Sequence, residues 1–249
     1  YTKTFVLNVQ TLGESSDIVT TGSPEIYQHV WVDGSTCDLP VGKVVCVGRN
    51  YAAHARELNN PVPDQPLLFM KPSTALRDIG HGIRITPTQG DVHYETEIAL
   101  LLGTSISADH DQEYAASAVA GVGLALDLTL RQLQAQLKEK GHPWERAKAF
   151  DGACPITPFT PRNQCGAWND LEFVLAINGE SRQAGHSADM LMPIPQLLHH
   201  IAQSFTLLPG DIVLTGTPAG VGPLQTGDQL KLTGVDGHSW HSAVNPLTA

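Results

Sequence analysis

His93-Tyr94-Glu95-Thr96-Glu97-Ile98-Ala99-Leu100-Leu101-Leu102 runs two acidic residues straight into five apolar ones. A uniformly apolar run of this length reads as a strand buried within a sheet. In extended chain, residues two apart point to the same side, so Glu95 and Glu97 present their carboxylates together. Two neighbouring carboxylates repel each other unless a cation or a proton neutralises them. Taken alone, a Glu-x-Glu pair more often marks a solvated strand edge.

Outward from this stretch, short apolar runs recur between turn residues supplied by 23 Gly and 17 Pro. Val44–Val47, Leu67–Met70, Leu171–Ile177, Ile212–Thr215 and Gln229–Thr233 read as further strands. Helical signals are fewer. Asp111–Val119 opens acidic and continues Ala-rich. Thr129–Lys140 sets Leu130, Leu133 and Leu137 on one side, with basic residues in its last turn and Gly141 as a stop. Pro195–Phe205 is the third. Without regular βαβ alternation the chain is mixed α/β and β-rich, with a few short helices rather than a doubly wound sheet. Residues 1–25 are polar and turn-rich and are expected to form an added strand or arm ahead of one catalytic domain at 26–249.

The 249 residues, 41% apolar and 16% charged, suffice for a full globular core. No apolar run reaches the roughly 18–20 residues that span a bilayer, and no secretory signal is read near the start. A formal net charge of −10 argues against nucleic acid or an anionic membrane surface as partner. A small anionic substrate remains compatible, because a metal and a few local bases can reverse the field inside a pocket. Cys37, Cys46, Cys154 and Cys165 form no metal or redox motif and fit a reducing, cytoplasmic location.

Four further stretches carry chemistry. Asp127 lies inside the apolar Gly123–Thr129 run, where a buried carboxylate needs a partner; a helix N-cap is its bland alternative. With Glu95 and Glu97 it would make a hard, all-oxygen site for Mg²⁺ or Mn²⁺. His54 and Glu57 lie three apart and share a face if this segment is helical, an arrangement for a general base or for a surface salt contact. Asn59–Pro63 then follows as a loop that could let the segment move as a lid. Lys148, between Ala147 and Phe150 in an apolar setting, is a buried cation or a solvated strand lysine. The Gly210–Gly222 turn lacks a phosphate-loop ending, so its Thr hydroxyl and amides are better suited to meeting a carboxylate; a purely structural turn is its bland alternative.

In order, Gly48–His54, Leu67–Thr74, His93–Glu97, Leu124–Gln134, Lys148–Pro155, Val174–Gln183 and Leu214–Pro223 resemble the fumarylacetoacetate hydrolase superfamily. The likeness is to its acylpyruvase and oxaloacetate decarboxylase-like branch, and it spans about Tyr27 to Leu247. It implies that family's mixed β-sandwich roll, usually as a homodimer. It also implies Mg²⁺ or Mn²⁺ on Glu95, Glu97 and Asp127; catalytic His54, Glu57 and Lys148; and substrate contacts from Arg131, Gln134 and Thr217. The leading expectation is a hydrolase that cleaves the C–C bond of acylpyruvates to pyruvate and a carboxylic acid. The alternatives are an oxaloacetate decarboxylase or keto–enol tautomerase, and an isomerase or decarboxylase of longer 2-oxo acids in aromatic catabolism. The last would want an extra basic side chain at the far end of the pocket, which the sequence does not place. A non-enzymatic cation-binding protein would need neither His54, Glu57 nor Lys148.

Overall fold

The computed structural model describes residues 26–57, 65–85 and 90–246. The expected N-terminal arm and the Asn59–Pro63 loop lie outside them. In chain order the first strands are β1 (Val44–Gly48), β2 (Leu67–Lys71), β3 (Leu76–Asp78), β4 (Ile83–Ile85), β5 (Val92–Tyr94) and β6 (Thr96–Leu102). Then follow β7 (Val119–Leu126), β8 (Thr129–Leu130), β9 (Cys154–Ile156), β10 (Thr160–Pro161) and β11 (Glu172–Ile177). The last are β12 (Glu180–His186), β13 (Ile212–Leu214), β14 (Gly222–Pro223), β15 (Gln229–Thr233) and β16 (Ser239–Pro246). The helices are α1 (Ala52–Glu57), α2 (Gln112–Ser117), α3 (Arg131–Glu139), α4 (Glu145–Lys148) and α5 (Ile194–Ala202).

The largest sheet runs β2-β1-β13-β6-β7-β9-β3, with β10 also on β7; β12-β11-β15-β16-β4 and β14-β5-β8 form two more. The first sheet is apolar on both faces. On β6, Ile98, Leu100 and Leu102 join the core shared with α2, α5 and the five-stranded sheet, whereas Ala99 and Leu101 join a second core. Val45 and Val44 of β1 divide the same way, as do Val213 and Ile212 of β13. This period-two division explains why residues 98–102 of β6 are all apolar. The second core is built largely of small side chains, Ala75, Ala99, Ala125, Ala153, Cys46 and Cys154 among them, under Phe159.

Helices follow their sequence signals with shifted ends. Asp111 caps α2, its side chain accepting the Tyr114 N–H at 2.8 Å. α5 buries Ile194, Leu197, Leu198 and Ile201, one stripe of a 3.6-residue period. The helix expected from Thr129 starts only at Arg131, because Thr129 and Leu130 pair with His93 and Val92 as β8. Asp127 is therefore not its N-cap, a position held by Leu130. Lys148 is no solvated strand lysine either: it closes the one-turn α4 and is 3% exposed. All four cysteines are free, and no described helix is long and apolar enough to cross a membrane.

Candidate active site

Strand pairing builds the acidic centre. β6 and β7 run antiparallel with Thr96 opposite Leu126 and Glu97 opposite Ala125. One step beyond, the Asp127 N–H donates to the Glu95 carbonyl at 2.8 Å, which brings Asp127 alongside the Glu-x-Glu pair. Ligand oxygens of Glu95, Glu97 and Asp127 all lie within 4.8 Å of one another, and all three residues are buried.

Their electrostatic surroundings differ. Lys148 Nζ donates to Glu95 Oε2 at 2.8 Å and to Asp127 Oδ2 at 2.6 Å. Arg131 adds a second ion pair to Glu95, and Lys71 Nζ lies 2.8 Å from Asp127 Oδ1. Burial alone would raise the Glu95 carboxyl, but Lys148, then Arg131 and His54, hold it well below the ordinary range. Burial would likewise depress Lys148, but Asp127 and Glu95 lift it above the usual lysine value, so its ammonium persists at neutral pH. Glu97 accepts the Gly216 N–H at 2.7 Å and is paired with neither lysine nor Arg131. Burial, followed by Asp127 and Glu95, pushes its carboxyl well above the usual value. Three hard oxygen donors crowded together, one without a cation of its own, suit a divalent ion of the Mg²⁺ or Mn²⁺ kind.

The remaining expected residues gather round this centre. His54, Arg131, Gln134, Lys148 and Thr217 line one cavity of ≈ 50 Å³ with the three carboxylates. Glu57 stands behind His54, its Oε2 3.5 Å from Nδ1, long for a hydrogen bond, and it is held by the Gly220 N–H at 3.1 Å. Burial lowers the His54 pKa against the pull of Glu95 and Glu57, so its imidazole is neutral at pH 7. Gln134 accepts from Arg131 at 3.0 Å. Thr217 lines the cavity, but its hydroxyl donates to the Thr96 carbonyl at 2.9 Å and accepts from Gln183 Nε2 at 2.8 Å. The carboxylates met by amides of this turn are the protein's own Glu97 and Glu57. The turn needs glycine at 216, where φ is +97° and a Cβ would stand 2.8 Å from that of Asn50.

Two buried residues escaped the sequence reading although their motifs did not. Lys71 is fully buried and donates to the carbonyls of Ala153 (3.0 Å) and Lys148, besides its ion pair with Asp127. A lysine closing an apolar strand was the available signal. Gln183, on β12, accepts the Thr96 N–H at 3.0 Å and donates to Thr217 and to the Pro218 carbonyl. It thus ties the five-stranded sheet to the backbone between two of the carboxylates. Nothing in its local pattern marked it.

A larger, open depression of ≈ 780 Å³, lined by Trp31, Arg162 and Trp168 among others, shares no residue with the acidic cavity. Its guanidinium is stacked 3.7 Å over the Trp168 ring, and no buried carboxylate, lysine or histidine lines it.

Residues 43–239 match the fumarylacetoacetate (FAA) hydrolase C-terminal family. The chain is 48% identical over 215 residues to the oxaloacetate tautomerase YcgM of Escherichia coli strain K12, covering 86% of this chain and 97% of that protein. It is 39% identical over 197 residues to the mitochondrial oxaloacetate decarboxylase of Dictyostelium discoideum, 78% of this chain and 90% of that one. Among solved structures, fumarylpyruvate hydrolase from Pseudomonas aeruginosa in complex with Mn²⁺ and pyruvate superposes with a TM-score of 0.83 at 33% identity, over 91% of this chain and 99% of that one.

Proposed function

The chain belongs to the fumarylacetoacetate hydrolase family, and we propose that within it the chain is a divalent-metal-dependent enzyme that interconverts the keto and enol forms of oxaloacetate. Acylpyruvate hydrolysis, ranked first on sequence alone, takes second place. The support is the 48% identical oxaloacetate tautomerase, matched over almost its whole length. The observation that carries the reading is that Lys148, hydrogen-bonded to both Glu95 and Asp127, lines one small cavity together with His54, whose pKa burial lowers.

Glu95, Glu97 and Asp127 would hold Mg²⁺ or Mn²⁺, which supplies Lewis-acid polarisation of a 2-oxo acid. Lys148 cannot serve as a base while both carboxylates clamp its ammonium; it offsets negative charge that gathers on the C2 oxygen. His54 takes a proton from C3, the C3–H electrons become the C2–C3 double bond, and the proton passes to the C2 oxygen. Glu57 steadies the imidazolium in between. Arg131 and Gln134 orient the substrate carboxylate, and Thr217 shapes the cavity wall. No attacking water is required.

The test is the decay of oxaloacetate enol absorbance with protein and Mg²⁺, repeated with EDTA, alongside pyruvate release from oxaloacetate and acetylpyruvate. Metal-dependent acceleration of the enol decay beyond any pyruvate release supports the tautomerase. Pyruvate from acetylpyruvate with unaccelerated enol decay would make the protein a hydrolase instead. That second reading draws on the His54–Glu57 pairing, which also suits water activation.

A further inference from the structure

We propose that Phe69 is a positioning residue for Lys148: its ring backs the ammonium by cation–π attraction and leaves the third N–H for the substrate oxygen on which negative charge gathers. The proposal rests on the 2-oxo acid reading above and adds to it the means by which Lys148 is aimed.

A lysine ammonium carries three N–H donors and no acceptor. In Lys148 two of them are spent, on Glu95 Oε2 at 2.8 Å and Asp127 Oδ2 at 2.6 Å. The third meets no oxygen acceptor among the described residues. The Phe69 ring instead stands with its centroid 5.2 Å from Nζ, inside the roughly 6 Å over which an aromatic face attracts a cation. Desolvated cations gain most from such a face, and Lys148 is 3% exposed.

The choice of a ring matters chemically. A carboxylate or hydroxyl at this place would accept the third N–H and keep it from the substrate. An aliphatic wall would leave part of the ammonium charge without a stabilising partner. The aromatic face attracts the charge yet yields the donor to a better acceptor, an oxygen turning negative in the transition state.

β2 holds Lys148 at both ends. Phe69 and Lys71 stand two apart and so share a face of the strand. Lys71 donates to the Lys148 carbonyl, while Phe69 lies by the ammonium. The ring packs in turn against Trp144, whose ring centroid is 5.9 Å away at an interplanar angle of 58°. Trp144 precedes α4, and its carbonyl accepts the Lys148 N–H at 3.0 Å. The residue that steadies the ring thus also starts the helix that delivers the lysine. Phe69, Trp144, Lys148 and His54 line one cavity, so the ring belongs to the wall against which the substrate would lie.

Fluorination separates this role from packing, since fluorine drains the ring face of negative charge and changes its size little. Phe69 is replaced with 4-fluoro- and 3,4,5-trifluorophenylalanine by nonsense suppression, and Phe69→Leu removes the ring. The kinetic readouts are kcat and KM for oxaloacetate enol decay. Calorimetry gives the Mn²⁺ affinity, then the affinity of the Mn²⁺-loaded protein for oxalate, a planar dianion resembling a 2-oxo acid's enolate, and for 2-oxobutyrate, a keto acid. The expected result is a stepwise fall in kcat with fluorination, about tenfold by the trifluoro ring, with KM and Mn²⁺ affinity within about twofold. Oxalate should weaken in the same steps and 2-oxobutyrate hardly at all. Phe69→Leu should lose at least as much kcat as the trifluoro ring. A flat series, or a loss of Mn²⁺ affinity parallel to that of kcat, overturns the proposal, since packing alone then accounts for Phe69. Should the wild type leave enol decay unaccelerated, the tautomerase reading fails, while the oxalate series still decides for or against Phe69.

Discussion

Replacing Lys71 with methionine keeps the length and apolar stem of the side chain and removes its ammonium from a fully buried position. Asp127 Oδ1 then loses the cation 2.8 Å away, although Lys148 still serves Oδ2. The carbonyls of Lys148 and Ala153 lose a shared donor. Breaking one side of a buried ion pair costs about 3–5 kcal/mol, and an orphaned buried acceptor about 1–3 kcal/mol. The surviving Lys148 contact offsets part of this, so the expected loss is about 4 kcal/mol. For a chain of this size that lowers the melting temperature by roughly 8–16 °C. Differential scanning calorimetry, with urea midpoints at constant m-value as a check, measures it in EDTA. Repeating the scan with Mn²⁺ at about 100 times its Kd should restore up to about 2.7 kcal/mol, since the ion takes over the neutralising of Asp127. A loss below about 1 kcal/mol without metal would refute the view that Lys71 holds the acidic centre together.

Glu95→Ala should lower Mn²⁺ affinity well over about 100-fold, read by titration, and with it every catalytic activity. His54→Ala should slow oxaloacetate tautomerisation by about 10²–10⁴-fold but decarboxylation far less, since loss of CO₂ requires no base; equal losses would contradict the role given to the imidazole. The acid limb of the kcat/KM profile should fall below pH 6.5, because burial lowers the His54 pKa from that value and the base works only when neutral. The same direction makes unfolding take up a proton, so stability should decline as pH drops through 6.5 toward the folded value. Gln183→Leu leaves the Thr96 N–H unsatisfied between two of the acidic residues and should cost about 1–3 kcal/mol in urea midpoints. It should also weaken Mn²⁺ by about 10–100-fold, and undiminished affinity would reduce Gln183 to a packing residue.

How far the sequence could be read depended on the range of the interactions involved. β6 was legible because its alternation is local and both of its faces are apolar. The acidic pair was legible from extended-chain geometry alone. Asp127 needed tertiary information, since a helix cap explained it equally well until Thr129 and Leu130 proved to pair with β5. Lys148 was ambiguous for the same reason: its carboxylate partners lie 53 and 21 residues away. Lys71 and Gln183 answer to groups 34 to 87 residues distant, and no short window of sequence contains both sides of those contacts. The left-handed backbone at Arg49 is likewise invisible, because non-glycine residues carry no signal for it.

The alanines beneath the site have a consequence for ion selection. Ala99 follows Glu97 on the same side of β6, Ala125 precedes Asp127 on β7, and both belong to the inner core of small side chains. The bite of the three carboxylates is therefore gauged by the calibre of a methyl group. A larger side chain at either alanine would wedge the strands and widen that bite. A wider bite favours the roughly 2.3–2.6 Å oxygen distances of calcium over the about 2.0–2.1 Å of magnesium. Ionic radius, on this view, is written into the floor of the site as much as into its ligands.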